Sequence, residues 1–128
     1  MAKLSDDTLF QRAIPQAIKD RQSLAQCYGN EGEEAQAAID QATSFQRLRN
    51  KKLADLNAAE DNTARLVFVY AEQHEKSVAE IFSGCAKSDS EEARRMLRLF
   101  REVRMRRWGQ TAIEAFVGNA KAIDARTV

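Results

Sequence analysis

Apolar residues recur every three or four positions along most of the chain, the spacing that places side chains on one face of an α-helix. The first stripe follows Ser5 and two aspartates, which favour a helix N-terminus, and Pro15 lies inside it. Because proline removes a backbone hydrogen bond and clashes with the preceding turn, we expect a short first helix and a second that begins near Pro15. One kinked helix is the alternative, and residues 29–32 predict a stop. The stripe comprises Leu9, Phe10, Ala13, Ile14, Ala17, Ile18, Leu24 and Ala25.

The second stripe covers residues 33–60. As one helix it would be about 42 Å long, which is long for so small a domain. Gln46 and Arg49 fall on the same side as its apolar residues. We therefore expect the helix either to leave the core there or to break near Asn50. The apolar members are Ala35, Ala38, Ile39, Ala42, Phe45, Leu53 and Leu56.

A third helix is predicted over residues 63–85. Its run LVFVY, residues 66–70, has the composition and alternation of a strand. It lies within a longer helical stripe, so we predict a helix there as well. The stripe is formed by Val67, Ala71, Val78, Ile81, Phe82 and Cys85.

Two capping boxes, each a hydroxyl residue followed three positions later by glutamate, predict the last helix starts. Ser88–Glu91 should open an arginine-rich helix that ends around Gly109, and Thr111–Glu114 should open a final helix. The final stripe is Ile113, Phe116, Val117, Ala120 and Ile123. Together the stripes predict an all-α fold, a compact bundle of four to six helices with short loops, forming a single domain over residues 1–128.

Charge is distributed unevenly along the chain. The whole chain carries a net charge of only +1. Residues 1–85 hold ten basic against thirteen acidic residues, whereas residues 86–128 hold ten against six. The basic character is therefore local, as it would be at an interaction surface.

Seven arginines lie between Arg94 and Arg107, with no lysine among them. Projected at 100° per residue, six share a polar arc opposite an apolar arc that contains Met96, Phe100 and Val103. One interpretation is a solvated face on which nearby glutamates pair with some arginines. The other is a binding surface, since guanidinium groups match phosphate and carboxylate geometry. The candidate binding residues on this arc are Arg94, Arg95, Arg98, Arg101, Arg104 and Arg106.

A second basic cluster, in the segment QRLRNKKL, consists of Arg47, Arg49, Lys51 and Lys52. If it folds beside the arginine-rich helix, the two clusters would form a groove able to follow a phosphate backbone. We expect the chain to be a small interaction module, an adaptor or inhibitor, that docks an acidic protein surface. A nucleic-acid-binding protein is the alternative, although the near-neutral net charge and the lack of aromatics among the arginines argue against it.

Little in the chain indicates catalysis. It has one histidine and no Gly-rich phosphate loop or nucleophile motif, so we expect a protein that is not an enzyme and needs no metal or other cofactor. The segment HEKSVAEI begins with a His-Glu pair and resembles the phosphoacceptor segment of many histidine kinases, which implies a phosphotransfer module as a further alternative. His74, however, falls between Ala71 and Val78 on the apolar stripe, so we expect it to be at least half-buried.

The remaining features place the chain in a cellular setting. Only Cys27 and Cys85 are present, and we expect two unpaired, buried thiols in a reducing compartment, with a single disulfide as the alternative. No segment has the apolar length of a membrane span or a signal peptide. We therefore expect a cytoplasmic protein.

Overall fold

The computed structural model describes the backbone of residues 4–85 and 87–127, and the side chains of these residues as far as Gly109. Four α-helices pack against one another: α1 (Asp6–Cys27), α2 (Glu33–Gln46), α3 (Ala58–Phe82) and α4 (Lys87–Thr127). A short 3-10 turn, Leu53–Asp55, precedes α3. These residues contain no strand, so the all-helical prediction is confirmed. None of the helices described has the length and apolar character needed to cross a bilayer.

α3 is the central helix, because it packs extensively against both α1 and α4. It runs antiparallel to α4: Ala79, near the end of α3, contacts Ser90, whereas Asp61, near its start, contacts Trp108. α2 folds back on α1 and makes no substantial contact with α4. The two helical hairpins therefore meet along the α1–α3 contact.

Four phenylalanines, one from each helix, form the centre of the core. Phe68 of α3 lies 5.9 Å from Phe10 of α1 and 6.2 Å from Phe100 of α4, measured between ring centroids. Phe45 contributes from α2, and all four side chains are fully buried. Burial of one such side chain stabilises the fold by roughly 1.5–3 kcal/mol, so this cluster contributes substantially to the packing of the helices.

α1 continues through Pro15 as one helix, and the predicted break there is wrong. Ile14 and Ala17, on either side of the proline, are fully buried in the same core. Their burial, with that of their neighbours, offsets the roughly 3 kcal/mol that a proline costs inside a helix. At the helix start the hydroxyl of Ser5 accepts a hydrogen bond from the Thr8 amide at 3.1 Å, as the sequence predicted for this N-cap.

The second stripe breaks near Asn50, which was one of the two alternatives. α2 ends at Gln46, and Asn50 has a positive φ of 68°. The Gln11 side chain holds this turn, because it accepts from the Asn50 amide and donates to the Lys51 carbonyl, both at 3.0 Å. Leu53 remains buried beyond the turn, which explains why the apolar spacing continued after the helix had ended.

Other helix ends agree with the sequence in part. α1 stops before residues 29–32, where Gly29, Asn30 and Gly32 have positive φ, and residues 66–70 are helical. At Gly109 the backbone leaves helical geometry with φ 65°, as predicted.

The capping box predicted at Ser88 is wrong, since α4 already begins at Lys87. The Thr111 capping box and the final apolar stripe, Ile113, Phe116, Val117, Ala120 and Ile123, involve side chains outside those described.

Both cysteines are free, but the expectation that they are buried is wrong. Cys27 is the last residue of α1, and Cys85 lies in the turn after α3. Each thiol is exposed, because the apolar stripes have left the core by these positions.

We expect Phe100→Ala to lower the free energy of unfolding by roughly 3–5 kcal/mol, because Phe100 is fully buried and its removal leaves a cavity. Urea denaturation followed by circular dichroism measures this loss. Arg98→Ala, on the exposed side of the same helix, is the control and should change stability by no more than about 0.5 kcal/mol. Equal stabilities for the two variants would contradict the assigned core.

Candidate binding surface

Four of the predicted binding arginines are exposed on one side of α4: Arg94, Arg95, Arg98 and Arg101. We call these four residues the arginine face. The opposite side of the helix carries Phe100 and Val103, both fully buried against α1 and α3. The helical projection therefore separated the packed side from the solvated side correctly over this part of α4.

Arg104 does not belong to this surface, contrary to the sequence interpretation. It is only 6% exposed and forms a two-pronged ion pair with Glu72 of α3, with a 2.9 Å contact from Nη2 to Oε1. Arg101 reaches the same carboxylate at 3.4 Å. Arg104 lies at the edge of the polar arc, where α3 covers it. Glu72, which the sequence interpretation missed, is therefore the partner that holds α4 against α3 through charge.

Arg106 also forms an ion pair within the fold. Its guanidinium contacts both carboxylate oxygens of Asp6 at 2.7–2.8 Å. Arg107 donates to Asp61 and to the Leu53 carbonyl, each at 2.9 Å. These contacts attach the last turn before Gly109 to α1, to the 3-10 turn and to α3. Because the pairs are partly exposed, each contributes little stability, and their main effect is on orientation.

On the arginine face itself, Arg95 is paired with Glu92 one turn earlier through contacts of 2.9 and 3.0 Å. The hydrogen bond from Arg95 lowers the pKa of Glu92 and in turn raises the pKa of Arg95. Neither Arg94 nor Arg98 forms an ion pair with any side chain in the part of the chain described. They are one helical turn apart, about 5–6 Å between Cβ atoms.

An open depression surrounds these two arginines at the start of α4. Its lining includes both positive and negative groups: Ser88, Glu91, Glu92, Arg94, Arg95 and Arg98. Two guanidinium groups at this spacing can each receive a carboxylate or a phosphate oxygen. The depression is open to solvent and has guanidinium and carboxylate groups along its lining.

The second basic cluster does not lie beside the arginine face. Arg47, Arg49, Lys51 and Lys52 are exposed on the turn after α2, and Lys51 is paired with Glu60 at the start of α3. This turn lies at the bundle end that holds Arg107, nine residues and about 13 Å along α4 from Arg98. The two clusters are therefore separated along the bundle axis, and the groove considered from the sequence is not formed.

His74 is half-buried on α3, as the sequence predicted. Burial lowers its pKa, the positive charge of Lys19 adds to this effect, and Asp20 opposes it. The next residue, Glu75, is only 5% exposed. Burial, reinforced by the negative charge of Glu92, raises its pKa, and Lys19 opposes the shift. The junction of α1, α3 and α4 thus contains a buried carboxyl group that the sequence interpretation missed.

No metal site accompanies these residues. Among the side chains described, no three histidine, cysteine, aspartate or glutamate residues are close enough to hold an ion together. Glu72 is engaged by two arginines, and Glu75 lies beside the sole histidine.

Removal of the Glu72 carboxylate should strongly destabilise the protein. We expect Glu72→Ala to lower the free energy of unfolding by roughly 3–5 kcal/mol, because it leaves the guanidinium of Arg104 buried without a counter-charge. Glu92→Ala breaks an exposed pair within α4 and should cost no more than about 0.5 kcal/mol. Chemical denaturation of both variants compares the two costs, and equal small losses would rule out a buried pair.

Ionisation of Glu75 should weaken the fold as pH rises. Its pKa is raised in the folded state, so the folded protein holds this proton more tightly than the unfolded chain does. Its contribution to stability is therefore largest below the unfolded value of about 4.3 and falls as pH rises through the raised pKa. Glu75→Gln should accordingly gain stability over the wild type at pH 8 and lose that advantage near pH 4.

Urea denaturation of Glu75→Gln and the wild type at several pH values measures this difference. The opposite pH dependence of His74 is common to both proteins and cancels in the comparison. Glu80→Gln, an exposed change on the same helix, is the matched control and should show no such trend. A difference between Glu75→Gln and the wild type that does not change with pH would contradict the prediction.

The chain was compared with known proteins. No family model, curated protein or solved structure matches it. The chemistry of the α4 surface is therefore the basis on which a function can be assigned.

Proposed function

We propose that the chain is a non-enzymatic interaction module that docks an acidic protein surface through the arginine face. One observation carries this proposal. Of the seven arginines between Arg94 and Arg107, five are paired with a carboxylate of the chain itself, whereas Arg94 and Arg98 form no ion pair with a side chain that the structure describes. Two adjacent, exposed and unpaired guanidinium groups are suited to a partner that supplies the missing carboxylates.

The surroundings of this pair also favour a protein partner. Leu97 is partly exposed, and projection places it about 60° around the helix from Arg94, so it can add apolar contact beside the charged groups. Exposed ion pairs alone contribute about 0.2–1 kcal/mol each, and stable docking therefore needs such apolar area. A helix surface that combines arginines with a partly exposed leucine meets both requirements.

Binding of nucleic acid through the same face is the second candidate, and it is less favoured. The two basic clusters are separated along the bundle, which limits the number of phosphates that one strand could contact. Among the described residues, the large exposed aromatic is Tyr28, which follows α1 and does not lie among the arginines of α4. Phosphotransfer through His74 is less favoured again, because a phosphoryl acceptor must be open to solvent and this imidazole is half-buried.

The double variant Arg94→Glu/Arg98→Glu should lose partner binding by at least about tenfold, because it places like charges opposite the acidic surface. Helical content and the free energy of unfolding should stay close to those of the wild type, since both side chains are exposed. Pull-down from cell extract with wild-type and variant protein, followed by titration of each recovered partner, measures the loss.

Arg47→Glu/Arg49→Glu is the matched control, with the same change of charge on the turn after α2. It should bind the partner as the wild type does. Unchanged binding by the Arg94 and Arg98 variant would show that the arginine face is only a solvated surface. Recovery of nucleic acid in place of an acidic protein would favour the second candidate.

A further inference from the structure

Three glutamates lie among the exposed arginines of α4 between Glu91 and Glu102. Glu91 lies one turn before Arg94, and Glu102 lies one turn after Arg98, so the two unpaired arginines have an exposed carboxylate on each side. Glu92 already neutralises Arg95. Four arginines against three glutamates give this stretch a net charge of only +1.

We infer that Glu91 and Glu102 are specificity-determining residues. Their negative charges repel nucleic acid, so that Arg94 and Arg98 bind separate carboxylates on a protein. This inference rests on the proposed function and explains how the same site distinguishes a protein partner from nucleic acid. Neither glutamate forms an ion pair with a described side chain, so both negative charges are presented to an incoming ligand.

The geometry of a phosphate backbone explains the rejection. Glu91 and Glu102 are eleven residues apart, which is about 16 Å along the helix axis. A nucleic-acid strand that contacts both arginines carries further phosphates on each side, because charges recur every few ångströms along it. A strand that runs along the axis of α4 across both arginines brings these phosphates alongside the two glutamates, at distances comparable to the Debye length of about 8 Å, where screening is incomplete.

A folded protein meets no such constraint. It can present one carboxylate to Arg94 and another to Arg98 while placing neutral or basic residues opposite the two glutamates. At low salt, where screening is weak, two like charges at about 8 Å together disfavour a strand by about fivefold. Discrimination of this kind uses repulsion of the wrong partner as well as attraction of the right one.

Glu91→Gln/Glu102→Gln tests the inference with a 20-base-pair RNA duplex and a DNA duplex of equal length as probes. The variant should bind either duplex at least about fivefold more tightly than the wild type at low salt. With two phosphate contacts, its log–log salt slope on DNA should be about 1.8. Glu31→Gln/Glu80→Gln removes the same charge from exposed positions elsewhere and should show no gain.

A quadruple variant that adds Arg94→Glu and Arg98→Glu should lose the gain in duplex binding. This loss would show that the duplex binds at the arginine face. Circular dichroism verifies that each variant is folded. If removal of the glutamates brings no gain in duplex binding, the inference is overturned, and the pull-down with the arginine variants still decides the proposed function. If the wild type binds duplex tightly through Arg94 and Arg98, both proposals fail.

Discussion

The contacts of the Phe68 ring hold the bundle together. Phe68 packs on Phe10 of α1, on Phe100 of α4 and on Trp108 at the end of the arginine-rich stretch, with centroid distances of 5.7–6.2 Å. Because one side chain of α3 contacts three other positions, α3 must occupy the centre and α4 must lie along it. Phe68 contacts the side of α4 that carries Phe100 and Trp108. The opposite side of α4 therefore faces solvent and forms the candidate binding surface.

This placement sorts the arginines into two groups. Towards the C-terminal end, Arg104, Arg106 and Arg107 lie where α4 meets acids of other helices, and each is held by one of them. Towards the start of α4, Arg94 and Arg98 are exposed and form no ion pair with a described side chain. Along one amphipathic helix, exposed arginines therefore precede arginines that are paired with acids of other helices, whereas the Arg95–Glu92 pair lies within α4 itself.

Features set by local chemistry could be predicted from the sequence, and those set by distant neighbours could not. The breaks at residues 29–32 and at Gly109 follow from glycine and asparagine at positive φ, which is a local property. The continuity of α1 through Pro15 depends on core burial supplied by other helices. Likewise, projection of α4 alone leaves Arg104 on the polar arc, because Glu72 is 32 positions away in the chain.

Two carboxyl groups, those of Glu72 and Glu75, are buried in the bundle and are accommodated in different ways. Glu72 is held by two guanidinium groups, so its charge is compensated where it is buried. One turn further along α3, burial raises the pKa of Glu75, and the like charge of Glu92 adds to this effect, so the protonated form is favoured. Glu92 also neutralises Arg95 on the outer surface. The same residue therefore adds to the electrostatic cost inside the bundle and reduces the positive charge outside it, which ties the charge of the arginine face to the packing beneath it.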